Sequence, residues 1–242
     1  MEHVSYGYEG RGRALRDVSL RIPRGSVVAL VGLSGCGKST TASLLMRFCD
    51  PDAGRIFIDG RDYLSLRPEE LRRQIAMVPQ QVNLFSGTIR ENLQLADPDA
   101  DDAAMMEALR EAGLDKFVRS LEKGLDSDVG NAGASVSGGQ RQKLGIARTL
   151  LSQAEYMIFD EATSSVDPES EREIWETIGH LAHTRTLIII SHRMSTVRNA
   201  DCIYVMQKGA VEQQGSHEEL MKRDGLYREL VTRQQAMEEA TE

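Results

Sequence analysis

VVALVGLSGCGKSTTASLLM, residues Val27 to Met46, is the stretch that decides the fold. The apolar run from Val27 to Val31 predicts a short buried strand, and the apolar residues after Lys38 predict a helix packed on the sheet. Between them lies a glycine-rich turn, in which Gly32 is followed by four residues and then by Gly37, Lys38 and Ser39. In a strand–loop–helix context, that spacing is typical of a loop that holds phosphate.

The physical properties of this loop favour a triphosphate. Glycines allow successive backbone N–H groups to converge on an anion, and the N-terminus of the following helix adds the positive end of its dipole. Lys38 is expected to reach the β- and γ-phosphates, and the Ser39 hydroxyl to bind Mg²⁺. The alternative is a glycine turn that only joins strand to helix, and the full spacing disfavours it. The sequence therefore predicts a site for a nucleoside triphosphate.

The composition indicates a soluble globular protein of one large α/β domain or two small ones. The 242 residues are 40% hydrophobic and 27% charged, and the net charge of −8 argues against a general electrostatic grip on nucleic acid. No apolar run approaches the ~20 residues of a membrane-spanning helix, and MEHVSYGYEG does not resemble a signal peptide. Three cysteines without metal-ligand spacing suit a reducing compartment. We therefore expect an intracellular protein.

The first part of the chain is predicted to be rich in strands and the middle part helical. Residues 97–151 are interpreted as a helical insertion between 1–96 and 152–242. The strand patterns of the first part are Val4–Tyr6, Val18–Ile22, Val27–Val31 and Arg55–Ile58, and the helical patterns of the insertion are Asp99–Ala112 and Gly138–Leu151.

After the insertion, strand and helix patterns alternate, which predicts parallel βαβ units. The strands are YMIFD, TLIII and CIYVM, and the helices are PESEREIWETIGHLA and MSTVRNA. Asp167 followed by Pro168 predicts a capped helix start, and Ser216 to Glu219 predicts a capping box that opens the penultimate helix. The polar tail RQQAMEEATE is expected to fray.

YMIFDE supplies two acidic groups that a phosphate loop needs before it can hydrolyse anything. Asp160 ends the buried strand and suits Mg²⁺ binding, directly or through water, whereas the adjacent Glu161 is placed to polarise an attacking water. Taken alone, the pattern fits a solvated acidic turn equally well. The upstream phosphate loop favours the catalytic interpretation.

VSGGQRQKLGIARTL, residues Val136 to Leu150, predicts a second anion-binding helix end. A serine and two glycines stand at the start of a helix with many apolar positions, so free N–H groups face outward from its first turn. One chain therefore carries two helix ends that attract phosphate.

These motifs together resemble the nucleotide-binding domain of an ATP-binding cassette transporter, and the resemblance covers nearly the whole chain. GLSGCGKST is similar to the Walker A motif, YMIFDE to the Walker B motif, and VSGGQ to the signature motif, with Val136 where the family usually has leucine. The resemblance implies an α/β fold: a P-loop NTPase (RecA-like) core with an antiparallel β subdomain and an inserted helical subdomain. It also implies an ATPase that uses ATP and Mg²⁺.

The resemblance assigns further roles by position. VPQQ makes Gln80 the Q-loop glutamine, SSVD makes Asp167 the D-loop aspartate, and ISHR makes His192 the switch histidine. Tyr8 in VSYGYEG is expected to stack on adenine, with Tyr6 as the alternative. By this resemblance the catalytic residues are Glu161, His192 and Gln80, and Mg²⁺ is held by Ser39, Gln80 and Asp160. The nucleotide contacts are Tyr8, Gly32, Ser34, Gly35, Cys36, Gly37, Lys38, Ser39, Thr40, Ser137, Gly138, Gly139 and Gln140.

Cys36 lies inside the phosphate loop, beside the start of the helix. A helix N-terminus and a nearby lysine favour the thiolate, so a bulky thiol reagent is expected to block ATP binding. The alternative is an inert thiol that points into the core.

NLFSGTIRENL and SDVGNAGASVSGGQRQ are similar to segments of exporters whose membrane and nucleotide-binding domains share one polypeptide. The resemblance implies two partners: a second cassette, in a homodimer or heterodimer that ATP holds together, and transmembrane domains that place this domain at the cytoplasmic face of a membrane. Asn131 stands where the exporter pattern has glutamate, so this position offers a partner the hydrogen bonds of an amide instead of a charge. No nucleic-acid partner is expected.

Two other functions are compatible with a cassette ATPase. One is a cassette of DNA repair or translation, whose members usually carry long coiled coils or tandem cassettes, neither of which this acidic chain shows. The other is a regulatory module that binds ATP without turnover, which the presence of Lys38, Asp160, Glu161 and His192 disfavours. The resemblance implies that the transported substrate is determined by the membrane domains.

Overall fold

The structure is a computed structural model that describes residues 1–10, 12–130, 133, 135–163, 166–182 and 184–239. Its strands are β1 (Glu2–Tyr8), β2 (Gly12–Val18), β3 (Val27–Val31), β4 (Ala53–Arg55), β5 (Phe57–Ile58), β6 (Arg61–Asp62), β7 (Ile75–Val78), β8 (Tyr156–Asp160), β9 (Thr186–Ile190), β10 (Cys202–Gln207) and β11 (Ala210–Gly215). Its helices are α1 (Lys38–Leu45), α2 (Pro68–Arg72), α3 (Ile89–Gln94), α4 (Asp102–Glu111), α5 (Asp115–Ser120), α6 (Gly138–Leu151), α7 (Pro168–Leu181), α8 (Met194–Val197), α9 (His217–Met221) and α10 (Leu226–Glu239).

The main sheet of the described residues has six strands in the order β11-β10-β3-β9-β8-β7. The five strands from β10 to β7 run parallel, and β11 pairs antiparallel with β10. This confirms the predicted parallel βαβ units, and the bounds of β3, β8 and β9 are those that the sequence predicted. Parallel strands buried on both faces read as continuous apolar runs, which is why these three were predictable.

Alternate residues of β3 face two separate cores, because side chains along a strand point to opposite faces. Val27, Ala29 and Val31 belong to one apolar cluster, which includes residues of α4, α6 and α7. Val28 and Leu30 belong to the other, which includes residues of α1, β1 and β2. The sheet is thus covered on both faces, as a parallel sheet requires.

A smaller antiparallel sheet in the order β2-β1-β4 forms the N-terminal part. The predicted antiparallel β region is therefore confirmed, but the predicted strand Val18–Ile22 is wrong, since the strand is Gly12–Val18. Its position is set by pairing with β1, in which Val4 lies opposite Val18 and Tyr8 opposite Gly12. That cross-strand register cannot be read from the polar run GRALRDV.

The predicted strand Arg55–Ile58 is also wrong as a single element. The chain changes partner at Ile56: β4 pairs with β1, whereas β5 pairs with β6. A strand pattern in the sequence does not reveal that its two halves pair with different neighbours.

The helices of the middle part are close to those expected. α6 has the predicted bounds, whereas α4 begins at Asp102 instead of Asp99, because the side chain of Asp101 accepts a hydrogen bond from the Ala104 N–H at 2.8 Å and caps the helix. Met105 and Leu109 of α4 are fully buried in the same cluster as Leu144 of α6. The middle helices therefore share an apolar core with the sheet.

The C-terminal caps are confirmed. Asp167 caps α7 by accepting from the Ser170 N–H at 3.0 Å, and Pro168 is the first residue of that helix. Ser216 and Glu219 form the predicted capping box of α9. The expectation that the polar tail frays is wrong as far as Glu239, since the tail continues α10, whose earlier residues Tyr227 and Val231 pack into the core. Within the described ranges, no helix is both long and apolar enough to cross a lipid bilayer.

Three parallel strands end at the same edge of the main sheet. Leu30 of β3 lies opposite Ile190 of β9, which in turn lies opposite Asp160 of β8. The phosphate loop follows β3 directly. Glu161 follows Asp160 at the end of β8, and His192 lies two residues after the end of β9. Ligands of open α/β sheets bind at this edge, so the topology brings the predicted groups into one place.

Candidate ATP site

The phosphate loop joins β3 to α1, and its shape depends on glycine. Gly32 has φ 145° and Gly37 has φ 110°, both in the region that favours glycine. A Cβ on Gly32 would clash with the Met206 carbonyl oxygen, so this position also has no space for a side chain. Gly35, at φ 77°, has open space around it, and Leu33 and Ser34 are exposed. The loop thus presents its backbone to solvent at the N-terminus of an eight-residue helix.

Lys38 is folded back over this loop. Its ammonium donates hydrogen bonds to the Gly32 carbonyl at 2.8 Å and to the Leu33 carbonyl at 3.3 Å, and the side chain is buried. Thr41 also braces the turn, since its hydroxyl donates to the Gly37 carbonyl at 3.0 Å. A positive charge is therefore held against the loop, where a phosphate would lie.

Cys36 is buried in the core beneath the loop. Its Sγ lies 3.9 Å from Lys38 Nζ, and the residue belongs to the apolar cluster on the α1 side of the sheet. This burial favours the alternative of an inert thiol. Thr40 is also buried, whereas Ser39 is exposed beside it.

The Ser39 hydroxyl lies within hydrogen-bonding reach of the Asp160 carboxylate. Burial raises the pKa of Asp160 above its usual value and the neighbouring charge of Glu161 adds to this, whereas the Ser39 hydroxyl and the Lys38 charge act in the opposite direction. A hydroxyl and a carboxylate are oxygen ligands of the kind that Mg²⁺ takes in phosphate sites, where water and phosphate oxygens complete the shell. The two residues therefore fit Mg²⁺.

The described residues contain no cluster of three or more His, Cys, Asp or Glu side chains that could hold a metal alone. Gln80, the third predicted Mg²⁺ ligand, is exposed two residues after β7. Among the described residues, no hydrogen bond or ion pair joins it to Ser39 or Asp160. The structure thus brings two of the three predicted ligands together.

Glu161 and His192 form a pair at the edge of the sheet. Glu161 Oε1 lies 3.4 Å from His192 Nδ1, and the glutamate side chain is 24% exposed. Glu161 has φ 48°, an uncommon conformation for a residue other than glycine, and its N–H donates to the Ile190 carbonyl at 2.9 Å. Strained backbone that neighbouring contacts hold in place clusters at functional sites. The arrangement suits a carboxylate that is oriented to act on water.

Tyr8 is the better placed of the two candidate tyrosines. The residue is 42% exposed, and its hydroxyl lies 3.3 Å from Thr40 Oγ1, so it contacts the helix that follows the phosphate loop. Tyr6 packs edge-on against it with ring centroids 5.0 Å apart and lies against the core. Tyr8 therefore offers a free aromatic face next to the loop.

The helix that was expected to offer a second anion-binding end begins with a capping box. Ser137 caps α6 by accepting from the Gln140 N–H at 3.1 Å, and the Gln140 side chain accepts from the Ser137 N–H at 2.9 Å. Gly138 is exposed, whereas Gly139 is buried against Ser170 of α7. No hydrogen bond or ion pair between described residues joins this helix end to the phosphate loop of its own chain.

Sequence reasoning missed Thr163, Glu171 and Arg193. Glu171 accepts a hydrogen bond from the Thr163 hydroxyl at 3.1 Å and pairs with the Arg193 guanidinium. Three glutamates alternate along the start of α7, at positions 169, 171 and 173, and nothing in the sequence distinguishes the middle one. The predicted role of Asn131 falls outside the described residues.

Comparisons with known proteins agree on one family. The family model described as ABC transporter matches residues 15–164. The chain is 46% identical over 236 residues to the mitochondrial potassium channel ATP-binding subunit of Homo sapiens, covering 96% of this chain and 32% of that protein. It is 44% identical over 230 residues to the ATP-dependent lipid A-core flippase of Alcanivorax borkumensis, covering 95% and 40%.

Among solved structures, the chain is similar to a bacterial Atm1-family ABC exporter with ATP bound. The TM-score is 0.90 and the sequence identity 41%, covering 96% of this chain and 41% of that one. The chain thus spans between about a third and two fifths of the length of these relatives.

Proposed function

The chain belongs to the ABC transporter family, and on that premise we propose that it is the cassette that hydrolyses ATP to drive export through a membrane. One observation carries the proposal: the phosphate loop, Asp160 and the Glu161–His192 pair lie together at one edge of the main sheet. These groups supply what phosphoryl transfer to water requires, namely a phosphate cradle, a metal anchor and a group that orients the nucleophile.

In this proposal the nucleotide lies across the phosphate loop. Tyr8 stacks on adenine, and the backbone from Gly32 to Thr40 surrounds the phosphates. Lys38 exchanges its contacts with the loop carbonyls for the β- and γ-phosphates, which are stronger acceptors because they are charged. Ser39, Asp160 and Gln80 hold Mg²⁺. The support for Ser39 and Asp160 is their contact; Gln80 rests on its position after β7.

Hydrolysis depends on Glu161. Its carboxylate accepts a hydrogen bond from water and directs the water oxygen at the γ-phosphorus. As the new oxygen–phosphorus bond forms, the bond between the γ-phosphorus and the oxygen that bridges it to the β-phosphate breaks, ADP leaves with that electron pair, and the water proton passes to Glu161. His192, 3.4 Å away, holds this carboxylate in position. Mg²⁺, when bound, neutralises the charge that develops on the phosphate oxygens.

The chain is proposed to work in pairs. Ser137, Gly138, Gly139 and Gln140 at the start of α6 contact the γ-phosphate bound by a second cassette, and Asp167 lies near the same contact. The support is that the N-terminus of α6 suits an anion. Among the described residues, no hydrogen bond or ion pair joins this N-terminus to the phosphate loop of its own chain.

Within the proposed cassette, residues 1–96 and 152–242 form the catalytic core and residues 97–151 the helical subdomain. The transmembrane domains are proposed to belong to the same full-length polypeptide, since the chain matches only part of each exporter relative. The cassette then lies at the cytoplasmic face of the membrane. A cassette of DNA repair or translation is not favoured, because the family and the structural neighbour are those of transporters.

Phosphate release from ATP tests the proposal. Glu161→Gln keeps the shape of the side chain but removes its basicity, and we expect kcat to fall by about 10²–10⁴-fold while ATP still binds. Lys38→Ala removes a charge-assisted contact, and we expect ATP to bind roughly ten- to a hundredfold more weakly, with loss of turnover. A Glu161→Gln protein that hydrolyses ATP at the wild-type rate would show that the catalytic role is wrong.

A further inference from the structure

Glu171 lies one turn inside α7, and its side chain is 14% exposed. A carboxylate with so little contact with water needs partners, and it has two. Its Oε1 accepts a hydrogen bond from the Thr163 hydroxyl at 3.1 Å, and its Oε2 pairs with the Arg193 guanidinium. The two partners come from different loops, so Glu171 joins segments that are far apart in the chain.

In the first of these loops, two side chains of α7 hold Thr163. Thr163 is buried, and its hydroxyl accepts a hydrogen bond from the Trp175 indole N–H at 3.2 Å while it donates to Glu171. Since a hydroxyl has a single proton, these two contacts fix the direction of the O–H group. Two side chains of α7, Glu171 and Trp175, which lie one turn apart, thus hydrogen-bond to Thr163.

Both loops carry a residue of the proposed catalytic pair. Thr163 follows Glu161 by two residues, and Arg193 follows His192 directly. The contacts therefore close a ring, in which Glu171 bridges Thr163 and Arg193 on one side while Glu161 and His192 meet at 3.4 Å on the other. A shift of either loop relative to α7 changes the distance between the carboxylate and the imidazole.

We infer that Glu171 is a positioning residue. Through its contacts with Thr163 and Arg193, it fixes the distance between the Glu161 carboxylate and the His192 imidazole. The inference rests on the proposed function, because it takes the roles of Glu161 and His192 from it. No hydrogen bond or ion pair between described residues joins Glu171 to either of them; it acts by fixing the two loops on α7. Errors of about 1 Å in such geometry lower rates by up to about a hundredfold without loss of binding.

The experiment compares Glu171→Gln with Glu176→Gln in the 242-residue chain. The first replaces the carboxylate with an amide of the same shape, which keeps an acceptor for Thr163 but loses the charge that holds Arg193. The second makes the same change at an exposed position of the same helix. We expect kcat to fall about tenfold for Glu171→Gln, with KM for ATP changed by less than about twofold, and Glu176→Gln to match wild type.

A double-mutant cycle tests whether Glu171 acts through its contact with Arg193. If Glu171 acts through Arg193, the Glu171→Gln/Arg193→Gln protein should have nearly the same kcat as either single variant. Each single substitution already breaks the ion pair between the two residues, so the second substitution removes nothing further. Thr163→Val and Thr163→Ser provide an independent pair that leaves Glu171 in place. We expect the serine variant to keep turnover and the valine variant to lose it by a similar factor.

The outcomes distinguish the two proposals. A wild-type chain that releases no phosphate from ATP overturns both. A wild-type chain that hydrolyses ATP, with unchanged kcat in Glu171→Gln, or with losses that simply multiply across the cycle, overturns the positioning role alone. If Glu171→Gln does not fold, equal turnover in the valine and serine variants at position 163 overturns it instead.

Discussion

Lys38 is a charged side chain that the fold keeps buried by giving its ammonium two backbone carbonyls. Burial of a cation is unfavourable unless it is hydrogen-bonded, and the glycine-rich loop supplies acceptors at the point where phosphate is expected. The same residue thus satisfies the fold without ligand and the proposed chemistry with it. The sequence predicted this position from spacing alone, because the loop requires glycine at Gly32 and Gly37 for reasons of backbone conformation.

Other residues of the site were not predictable from the sequence. Glu171 looks like its neighbours Glu169 and Glu173, and only the packing of α7 against two loops gives it its partners. Which of Tyr6 and Tyr8 is exposed depends on the register of β1, which a pattern of residues leaves open.

His217 gives a prediction about pH. Its Nδ1 lies 2.8 Å from the Tyr227 hydroxyl, and burial together with the charge of Arg198 lowers the pKa of His217 below its usual 6.5, with Glu218 acting in the opposite direction. As the pH falls through 6.5, the unfolded chain takes up a proton on His217 before the folded chain does, so folding becomes less favourable.

We therefore expect the Tm of wild type, relative to that of His217→Gln, to fall as the pH is lowered from about 7.5 to about 5.5, around the reference pKa of histidine. Thermal unfolding of both proteins over this range measures the difference and cancels the other histidines. A constant difference in Tm across the range would contradict the lowered pKa.

At the scale of elements, strands were predictable where burial on both faces leaves a continuous apolar run. Such runs form β3, β8 and β9. In contrast, β2 is polar, and its bounds are set by its pairing with β1. β7 was not predicted, because four residues between polar segments carry too short a pattern. Helix caps were the other reliable signal, since they are local chemistry between residues three apart.

The cap of α9 gives a prediction about stability. Ser216 Oγ accepts a hydrogen bond from the Glu219 N–H at 3.3 Å, and the Glu219 carboxylate accepts one from the Ser216 N–H at 3.0 Å. Ser216→Ala removes the first bond, and we expect about 1 kcal/mol less free energy of unfolding, or roughly 2–4 °C in Tm. Ser216→Asp keeps a capping oxygen and should retain stability. Thermal unfolding of the three proteins checks this, and an alanine variant as stable as wild type would show that the cap contributes nothing.

At the scale of the whole molecule, no hydrogen bond or ion pair between described residues joins the start of α6 to the phosphate loop of the same chain, which is why a second cassette completes the site in our proposal. ATP then holds the pair together, and hydrolysis by Glu161 releases it. Without ATP we expect the isolated chain to be monomeric, because in this experiment the proposed membrane domains do not tether two cassettes and so do not raise their local concentration.

Light scattering of the Glu161→Gln protein after size exclusion, with and without MgATP, tests this pairing directly. We expect twice the monomer mass with MgATP and the monomer mass without it. Adding Ser137→Arg should prevent pairing through bulk at the γ-phosphate, whereas adding Ser216→Ala, which removes a cap from a distant helix, should not. A Glu161→Gln protein that binds ATP yet keeps the monomer mass at high protein concentration would contradict the two-cassette site.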